Sequence, residues 1–221
     1  MKTNPVLDAI RNRRSVRTYD PRPLPADVLA TIVEAGTLAP TGMNAQTFHF
    51  TVIQDAEKLH ELNRLIRTAL IRYEGRQLNE DYCCYYDAPV LVIASNEPTR
   101  TGGMDCACAL QNMFLAAHSL GIASCWINQL SYTCDAPEVR AYLKRLGVPT
   151  VHKVYGCAGL QRRQRARSAP AQRGIGFVCR IGIVRSNHSP YCNASVSPVP
   201  VLSPLRFIPL RRTQRKSKKM P

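Results

Sequence analysis

The chain has 221 residues and a formal net charge of +15, and that charge is concentrated at one end. Residues 1–160 hold all 15 acidic residues and 16 of the 30 Lys/Arg, a net of +1, whereas residues 161–221 hold the other 14 Lys/Arg and no Asp or Glu. The nearly neutral body argues against a nucleic-acid-binding domain, and no apolar run approaches the roughly 18 residues that a transmembrane helix needs.

The nine cysteines indicate a reducing compartment rather than a disulfide framework. Residues 1–10 are amphipathic and lack the pattern of a secretory signal, so we expect a cytoplasmic protein. Neither Cys83-Cys84 nor Cys106-Ala107-Cys108 has metal-ligand spacing, and the five histidines are scattered along the chain. No metal site is predicted.

The first third of the chain alternates helical and extended patterns. Residues 5–13 predict a short amphipathic helix, and residues 14–20 read as extended chain. A second helix is predicted over residues 26–36, where a glycine ends the apolar period. Residues 38–46 form a loop rich in turn formers, and residues 48–53 alternate as a strand does.

The middle of the chain carries the most apolar elements. Residues 56–72 predict a long amphipathic helix, and residues 73–87 form a polar and aromatic excursion or lid. Residues 88–95 are a continuous apolar run, which is typical of a buried central strand. Residues 104–120 are apolar nearly all round, which indicates a core or subunit-interface helix, and residues 122–130 predict a short strand and loop.

The last predicted elements are a helix over residues 137–146 and a strand over residues 151–158. Residues 1–160 therefore predict one α+β domain. Residues 161–221 have seven prolines, no acidic residue and no helical period, so we expect a basic Pro/Arg/Ser-rich tail that is disordered. Within it, only residues 178–184 have the pattern of a strand.

Arg13-Arg14-Ser15-Val16-Arg17 ends the first predicted helix and enters the extended segment. Alternate side chains of an extended chain share a face, so Arg13, Ser15 and Arg17 can converge on one anion. Guanidinium groups bind phosphate bidentately, and a serine hydroxyl adds a hydrogen bond. Taken alone, the cluster indicates either a phosphate site or solvated surface charge.

Residues 39–46, A-P-T-G-M-N-A-Q, combine a loop shaped by Pro40 and Gly42 with two carboxamides, Asn44 and Gln46. A carboxamide offers both a donor and an acceptor, which suits the alternating edge of a flavin's pyrimidine ring. The other interpretation is that both side chains cap their own loop.

Three motifs at this order and spacing resemble signatures of the nitroreductase family. They are R-R-S-V-R at residues 13–17, A-P-T-G-M-N-A-Q-T-F-H-F at residues 39–50 and L-G-I-A-S-C-W-I at residues 120–127. The resemblance covers residues 4–160. Thr47 and Phe48 stand where the family commonly has Pro and Trp, a difference that affects the pocket wall more than cofactor binding.

The resemblance implies a nitroreductase-like fold, with a central mixed sheet flanked by helices, and an intertwined homodimer that holds FMN at the subunit interface. The residues that would contact the FMN phosphate, ribityl chain and pyrimidine edge are Arg13, Arg14, Ser15 and Arg17. Those that would hydrogen-bond the ring or ribityl chain, or approach from the partner subunit, are Pro40, Thr41, Gly42, Asn44 and Gln46. Those that would lie near the N5 and O4 edge are Asn128 and Gln129.

The implied activity is that of a flavin-dependent oxidoreductase, which passes hydride from NAD(P)H through FMN to a nitroaromatic, a quinone or a similar small-molecule acceptor. The cofactor carries the chemistry, so no catalytic acid or base on the protein is expected. Arg17 is a candidate for the positive charge beside flavin N1. Neither a membrane nor a specific nucleic acid is expected as a partner.

The resemblance ends at Gly159. The family closes with Gly-Tyr, a spacer and then Pro-x-Arg-Lys, whose basic pair grips the FMN phosphate, whereas this chain continues L-Q-R-R-Q-R. One permitted choice of codons for residues 159–173, read without its first base, gives G-Y-S-G-G-S-A-R-A-A-P-R-R-K, the missing signature in order. We therefore predict a one-base frame change near codon 159 and the loss of the native phosphate clamp.

Two other functions are compatible with these observations. The chain could be a catalytically impaired relic of such an enzyme, because the phosphate clamp is missing. Alternatively, it could be a nucleic-acid-binding protein with a basic tail, with Arg211-Arg212 and residues 216–219 as phosphate contacts. Bound flavin would distinguish the enzyme from both.

Overall fold

The structure is a computed structural model that describes residues 3–18 and 20–162. Its helices are α1 (Pro5–Asn12), α2 (Ala26–Thr37), α3 (Ala56–Glu74), α4 (Gly102–Ser119), α5 (Gln129–Thr133) and α6 (Pro137–Arg145). Its strands are β1 (His49–Ile53), β2 (Val90–Asn96), β3 (Ile122–Ile127) and β4 (Lys153–Arg162). This α+β architecture confirms the predicted fold class.

The helices begin and end where local chemistry requires. Asn4 caps α1, since its side chain accepts a hydrogen bond of 2.9 Å from the amide of Leu7. Asp55 caps α3 in the same way through the amide of Lys58. At its other end α3 stops at Gly75, whose φ of 62° is left-handed and favours glycine.

The four strands form one sheet in the order β1-β2-β4-β3, in which each neighbouring pair is antiparallel. A parallel bridge joins Ser15 to Ser124 and adds the extended N-terminal segment beside β3. β2 is buried along its whole length, as its continuous apolar run predicts. β1 and β3 are the outer strands of the four, so residues next to β3 lie at an edge of the sheet.

An apolar core lies on each face of the sheet. Val90 and Val92 pack with α2 and α4, whereas Leu91 and Ile93 pack with α3, α5 and α6. The alternation follows from the two-residue period of a strand. Both faces of the sheet are covered by helices, so binding residues are confined to its rims.

Several element bounds differ from those predicted from sequence. Residues 129–133 form the short helix α5, where a strand and loop were expected, and β4 continues to Arg162, beyond the predicted end at residue 158. Within the described ranges, no helix has both the length and the apolar character needed to span a bilayer. The predicted tail begins at residue 161, and its first two residues lie in β4. Residues 163–221 lie outside the described part of the chain, so the domain boundary at residue 160 and the strand at 178–184 stay predictions.

Candidate cofactor site

Residues 13–17, here called the arginine segment, are attached to the edge of β3. Ser15 forms the parallel bridge with Ser124, and the amide of Val16 donates a 3.0 Å hydrogen bond to the carbonyl of Ser124. These backbone contacts hold the segment extended, so that its alternate side chains point the same way.

Three of the segment's side chains lie near enough to the Cys125 thiol in β3 to influence its pKa. Burial raises the pKa of Cys125, and the charge of Arg17, a hydrogen bond with Ser15 and the charge of Arg13 act in the opposite direction. Two positive charges and a hydroxyl thus lie beside β3, and the grouping of Arg13, Ser15 and Arg17 on one ligand stays a prediction. Such a group can bind a phosphate or another oxyanion.

The side chain of Arg14 turns back toward the end of α1. Its Nη1 donates to the carbonyls of Arg11 at 2.6 Å and Arg13 at 2.8 Å, which belong to the C-terminal end of α1. It also lines a small cavity of about 50 Å³ with Arg13, His118 and Ser124. Arg14 thus shares this cavity with Arg13, while its guanidinium group bonds backbone carbonyls of the preceding turn.

Asn128 and Gln129 lie at the end of β3, where α5 begins. The side chain of Gln129 donates a 3.0 Å hydrogen bond to Tyr82 and accepts one of 3.2 Å from the amide of Asn128. The Oδ1 of Asn128 accepts a 3.3 Å hydrogen bond from the indole of Trp126, and its amide group donates to Tyr132. Both predicted residues directly follow β3, the strand to which the arginine segment is attached, although their side chains already have protein partners.

Two tyrosines of the predicted excursion at residues 73–87 border the same edge, and sequence reasoning did not single them out. Tyr82 bonds Gln129, and the Tyr86 ring lies 5.6 Å from the Arg17 guanidinium carbon. Tyr86 and Asp87 have φ values of 56° and 55°, which are uncommon for side chains of this size. The polar and aromatic composition of residues 73–87 was the available signal, but it has no period that could assign these roles.

The second predicted group lies on residues 40–47, here called the Asn44 loop. Met43, Asn44 and Gln46 have φ values of 54°, 55° and 51°. The Nε2 of Gln46 donates a 3.1 Å hydrogen bond to Oδ1 of Asn44, and the amide of Gln46 donates one of the same length to Oγ1 of Thr41. Both carboxamides are exposed. The alternative interpretation, that Asn44 and Gln46 cap their own loop, therefore holds for the bond between their side chains. The rest of each carboxamide faces solvent.

The Asn44 loop is fixed at both ends by buried side chains that sequence reasoning missed. The amide of Gly42 donates a 3.0 Å hydrogen bond to Oδ1 of Asp105 in α4. The hydroxyl of Thr47 donates a 2.8 Å hydrogen bond to Oδ1 of Asn96 at the end of β2. Nothing in the sequence distinguishes these two residues from polar residues at helix and strand ends.

The arginine segment and the Asn44 loop lie at different ends of the sheet. Ser124 is opposite Leu160 in β4, whereas Asn96 is opposite Lys153, seven residues away along the same strand. At roughly 3.3 Å per residue this is about 23 Å along the strands, and β2 and β3 are also about 10 Å apart across the sheet.

This separation divides the predicted site within one chain. The arginine segment is bonded to Ser124, and the Asn44 loop is bonded to Asn96, so neither can shift far without breaking its contacts. The two groups therefore do not lie side by side within one chain.

Comparisons with known proteins agree with the motifs. The family model described as "Nitroreductase family" matches residues 10–160. A Methanothermobacter thermautotrophicus protein, provisionally named as an NADH dehydrogenase/NAD(P)H nitroreductase, is 31% identical over 126 residues, which cover 55% of this chain and 59% of that protein. FMN reductase (NADPH) of Bacillus subtilis is 26% identical over 145 residues, 60% of this chain and 57% of that protein. These matches therefore span less than two thirds of the two curated relatives.

A solved structure matches over a greater length. The nitroreductase with bound FMN from Bacteroides fragilis is 53% identical, with a TM-score of 0.76, and the match covers 83% of this chain and 100% of that one. A nitroreductase structure from Desulfitobacterium hafniense, 24% identical, has a TM-score of 0.67 over 80% of this chain and 100% of that chain, and it supports the fold.

Proposed function

The chain belongs to the nitroreductase family, and we propose that it is an FMN-dependent oxidoreductase that uses NAD(P)H to reduce a nitroaromatic, a quinone or a similar small-molecule acceptor. The observation that carries the proposal is the attachment of the segment that holds Arg13, Ser15 and Arg17 to the edge of β3. The 53% identity to a nitroreductase with bound FMN supports the choice of cofactor.

The residues present suit FMN. Two guanidinium groups and a hydroxyl on one face match the charge and acceptors of its phosphate or of the pyrimidine edge. FMN supplies the hydride chemistry when bound, and the protein's part is to orient it and tune its charge. Arg13 and Ser15 would hold the phosphate end of FMN. Arg17, whose guanidinium group lies over the ring of Tyr86, would place positive charge near the pyrimidine of the flavin.

The exposed carboxamides of Asn44 and Gln46 supply the complementary contacts in this proposal. Since they lie at the other end of the sheet from Arg17, they would reach the cofactor from a second copy of the chain, together with Pro40, Thr41 and Gly42. Asn128 and Gln129 would approach through backbone groups, because their side chains are hydrogen-bonded to neighbouring side chains or to each other's backbone.

A homodimer is therefore part of the proposal. Apolar side chains near the start of α4 are strongly exposed in the single chain: Met43 is 100% exposed and Met104 65%. Met43 is next to Gly42, which is bonded to α4, so this surface adjoins the loop that would cross to the partner. Burial of such groups in a subunit interface is favourable.

The end of β4 contains a polar side chain that the surrounding fold does not accommodate well. Gln161 is completely buried, and its Oε1 has no hydrogen-bond partner among the described residues. A buried unsatisfied amide oxygen is unfavourable, and it occurs two residues after the predicted frame change at codon 159. This supports the proposal that the residues after Gly159 are not those for which the body was selected, and it makes reduced FMN affinity the expected defect.

We also propose a cytoplasmic location. The seven cysteines of the described part of the chain are free thiols, the form that a reducing compartment maintains.

The function is tested by supplying FMN to the purified chain and titrating the complex with NADH or NADPH. We expect bleaching of the flavin absorbance without oxygen and its return when a quinone is added. Initial rates against both substrates should give the parallel double-reciprocal lines of a two-step exchange. A protein that retains no flavin at saturating FMN, or intersecting lines that require a ternary complex, would contradict the proposal.

A further inference from the structure

Asp105 is a buried carboxylate in the first turn of α4, outside all three sequence motifs. It is 5% exposed and forms no ion pair within 4.0 Å among residues 3–18 and 20–162. Burying a carboxylate is unfavourable unless hydrogen bonds compensate for the lost water. The carboxylate accepts a 3.0 Å hydrogen bond from the amide of Gly42, in the Asn44 loop.

The Asn44 loop needs such an anchor. Met43, Asn44 and Gln46 all adopt the left-handed backbone region, which is unfavourable for residues other than glycine. The side chains at residues 43–46 are exposed, so packing does not hold them in place. Hydrogen bonds within the loop support the conformation, and Asp105 at Gly42 and Asn96 at Thr47 tie the ends of the loop to the rest of the fold.

The fit at Gly42 is close. A Cβ added there would lie 2.5 Å from Oγ1 and 2.7 Å from Cγ2 of Thr101, the residue that precedes α4. The loop backbone therefore rests directly against the start of the helix, and the Asp105 carboxylate reaches it from the next turn. The hydrogen bond is charge-assisted and partly screened from water, which makes it stronger than one between neutral groups.

Resting on the proposed function, we infer that Asp105 is a positioning residue for the cofactor. By holding the amide of Gly42, it fixes the loop conformation that presents Asn44 and Gln46 to an FMN bound mainly by another chain. It does not touch the cofactor, and it acts through the backbone of the loop.

A purely structural role for Asp105 has a different signature. A carboxylate in the first turn of a helix also stabilises that helix by interacting with its dipole. In that case its loss would lower the melting temperature without a specific effect on the loop. Met113, fully buried on the same helix and facing Gly36, provides a matched control because its truncation destabilises the helix packing far from the loop.

The experiment compares Asp105→Ala, Asp105→Asn and Met113→Ala with the wild type. Hydrogen exchange is followed at the amides of residues 42–46 without FMN, and FMN affinity is measured by fluorescence. We expect Asp105→Ala to accelerate exchange in the loop and to weaken FMN binding by about 10- to 100-fold, the range of a lost charged hydrogen bond. Asp105→Asn keeps an acceptor oxygen and should retain more affinity. Met113→Ala should lower the melting temperature while both loop readouts stay near wild type.

The two proposals fail in distinguishable ways. If the wild type binds no FMN, the proposed function is wrong, while the exchange data still test the role of Asp105. Unchanged exchange over residues 42–46 in Asp105→Ala would overturn the inference whether or not FMN binds. Equal losses of affinity in Asp105→Ala and Met113→Ala at equal melting temperature would also overturn it.

Discussion

Ser15 pairs with Ser124 through a parallel bridge, and this contact attaches the arginine segment to the edge of the sheet. From it follow the extended conformation, the common face of Arg13 and Arg17, and their position beside Cys125. The arginine segment is bonded at Ser124 and the Asn44 loop at Asn96, and these two anchor residues are about 25 Å apart in one chain if the strand spacings are combined.

The arginines of the segment should differ in their effect on the cofactor. We expect Arg17→Ala or Arg13→Ala to weaken FMN binding by roughly 10- to 100-fold, since each removes a charged hydrogen-bonding group. Arg14→Ala is the matched control, because Arg14 donates to the end of α1 and should affect the melting temperature more than FMN affinity. Fluorescence titration of FMN measures all three. An Arg14→Ala defect as large as that of Arg17→Ala would contradict the assignment.

Gly42 should not tolerate a side chain. Gly42→Ala places a methyl group 2.5 Å from Oγ1 of Thr101, and such overpacking typically destabilises by about 1–3 kcal/mol. Thr101→Gly removes the obstructing side chain, so the double variant should recover most of the loss. Urea unfolding of the two single variants and the double variant tests the coupling. Additive effects would show that the contact with Thr101 is not the cause.

The stability of the fold should decline below neutral pH through His152. Its pKa is lowered by burial and then by the positive charge of His49, while the charge of Glu97 and a hydrogen bond that the ring donates to the Ser95 backbone act in the opposite direction. The unfolded chain therefore takes up the proton more readily. The stability that comes from keeping His152 neutral in the fold is fully present above the ordinary histidine pKa of 6.5 and is lost as the pH falls below it.

Urea unfolding of the wild type, His152→Gln and His60→Gln between pH 7.5 and pH 5 measures this effect. We expect a shallower decline for His152→Gln, and a wild-type decline for His60→Gln, because His60 is exposed. Identical slopes for the wild type and His152→Gln would remove His152 as the cause.

The region after Gly159 should limit cofactor affinity. Replacement of residues 160–172 by Y-S-G-G-S-A-R-A-A-P-R-R-K restores the basic pair of the family and removes the buried Gln161 with its unsatisfied oxygen. We expect FMN affinity to rise at least tenfold, since two phosphate contacts are added. A scrambled segment of the same composition is the control. No gain over that control would contradict the frame-change hypothesis, as would close relatives whose in-frame genes encode this same tail.

Sequence predicted the elements well because most are long and strongly periodic. The apolar run at residues 88–95 became β2, and the all-round apolar stretch at residues 104–120 became α4. The five-residue helix α5 was missed because a segment that short has no measurable period. The order of the strands is a non-local property, so the distance between the two halves of the site could not be predicted.

The site was predictable only where a motif carried it. The arginine segment and the Asn44 loop lie on motifs, whereas Asp105 and Tyr86 act through tertiary contacts that leave no local pattern. Asp105 is a single acidic residue in the apolar helix α4. From sequence alone, such a residue is as readily placed on a solvent-exposed face as in a buried contact with a loop. Tyr86 depends on a left-handed backbone that its residue type does not predict.

The central claim, a cofactor shared between two chains, is most directly tested by complementation. Arg17→Ala and Asn44→Gly each damage both sites of a homodimer, and glycine keeps the left-handed backbone of residue 44 without strain. In a mixed dimer, one site combines both substitutions and the other has neither. Unfolding the two variants together and refolding them should restore FMN binding at wild-type affinity in about a quarter of all sites, from random pairing of the chains. If the mixture binds FMN no better than the two variants measured separately, the site is not divided between chains and the account is wrong.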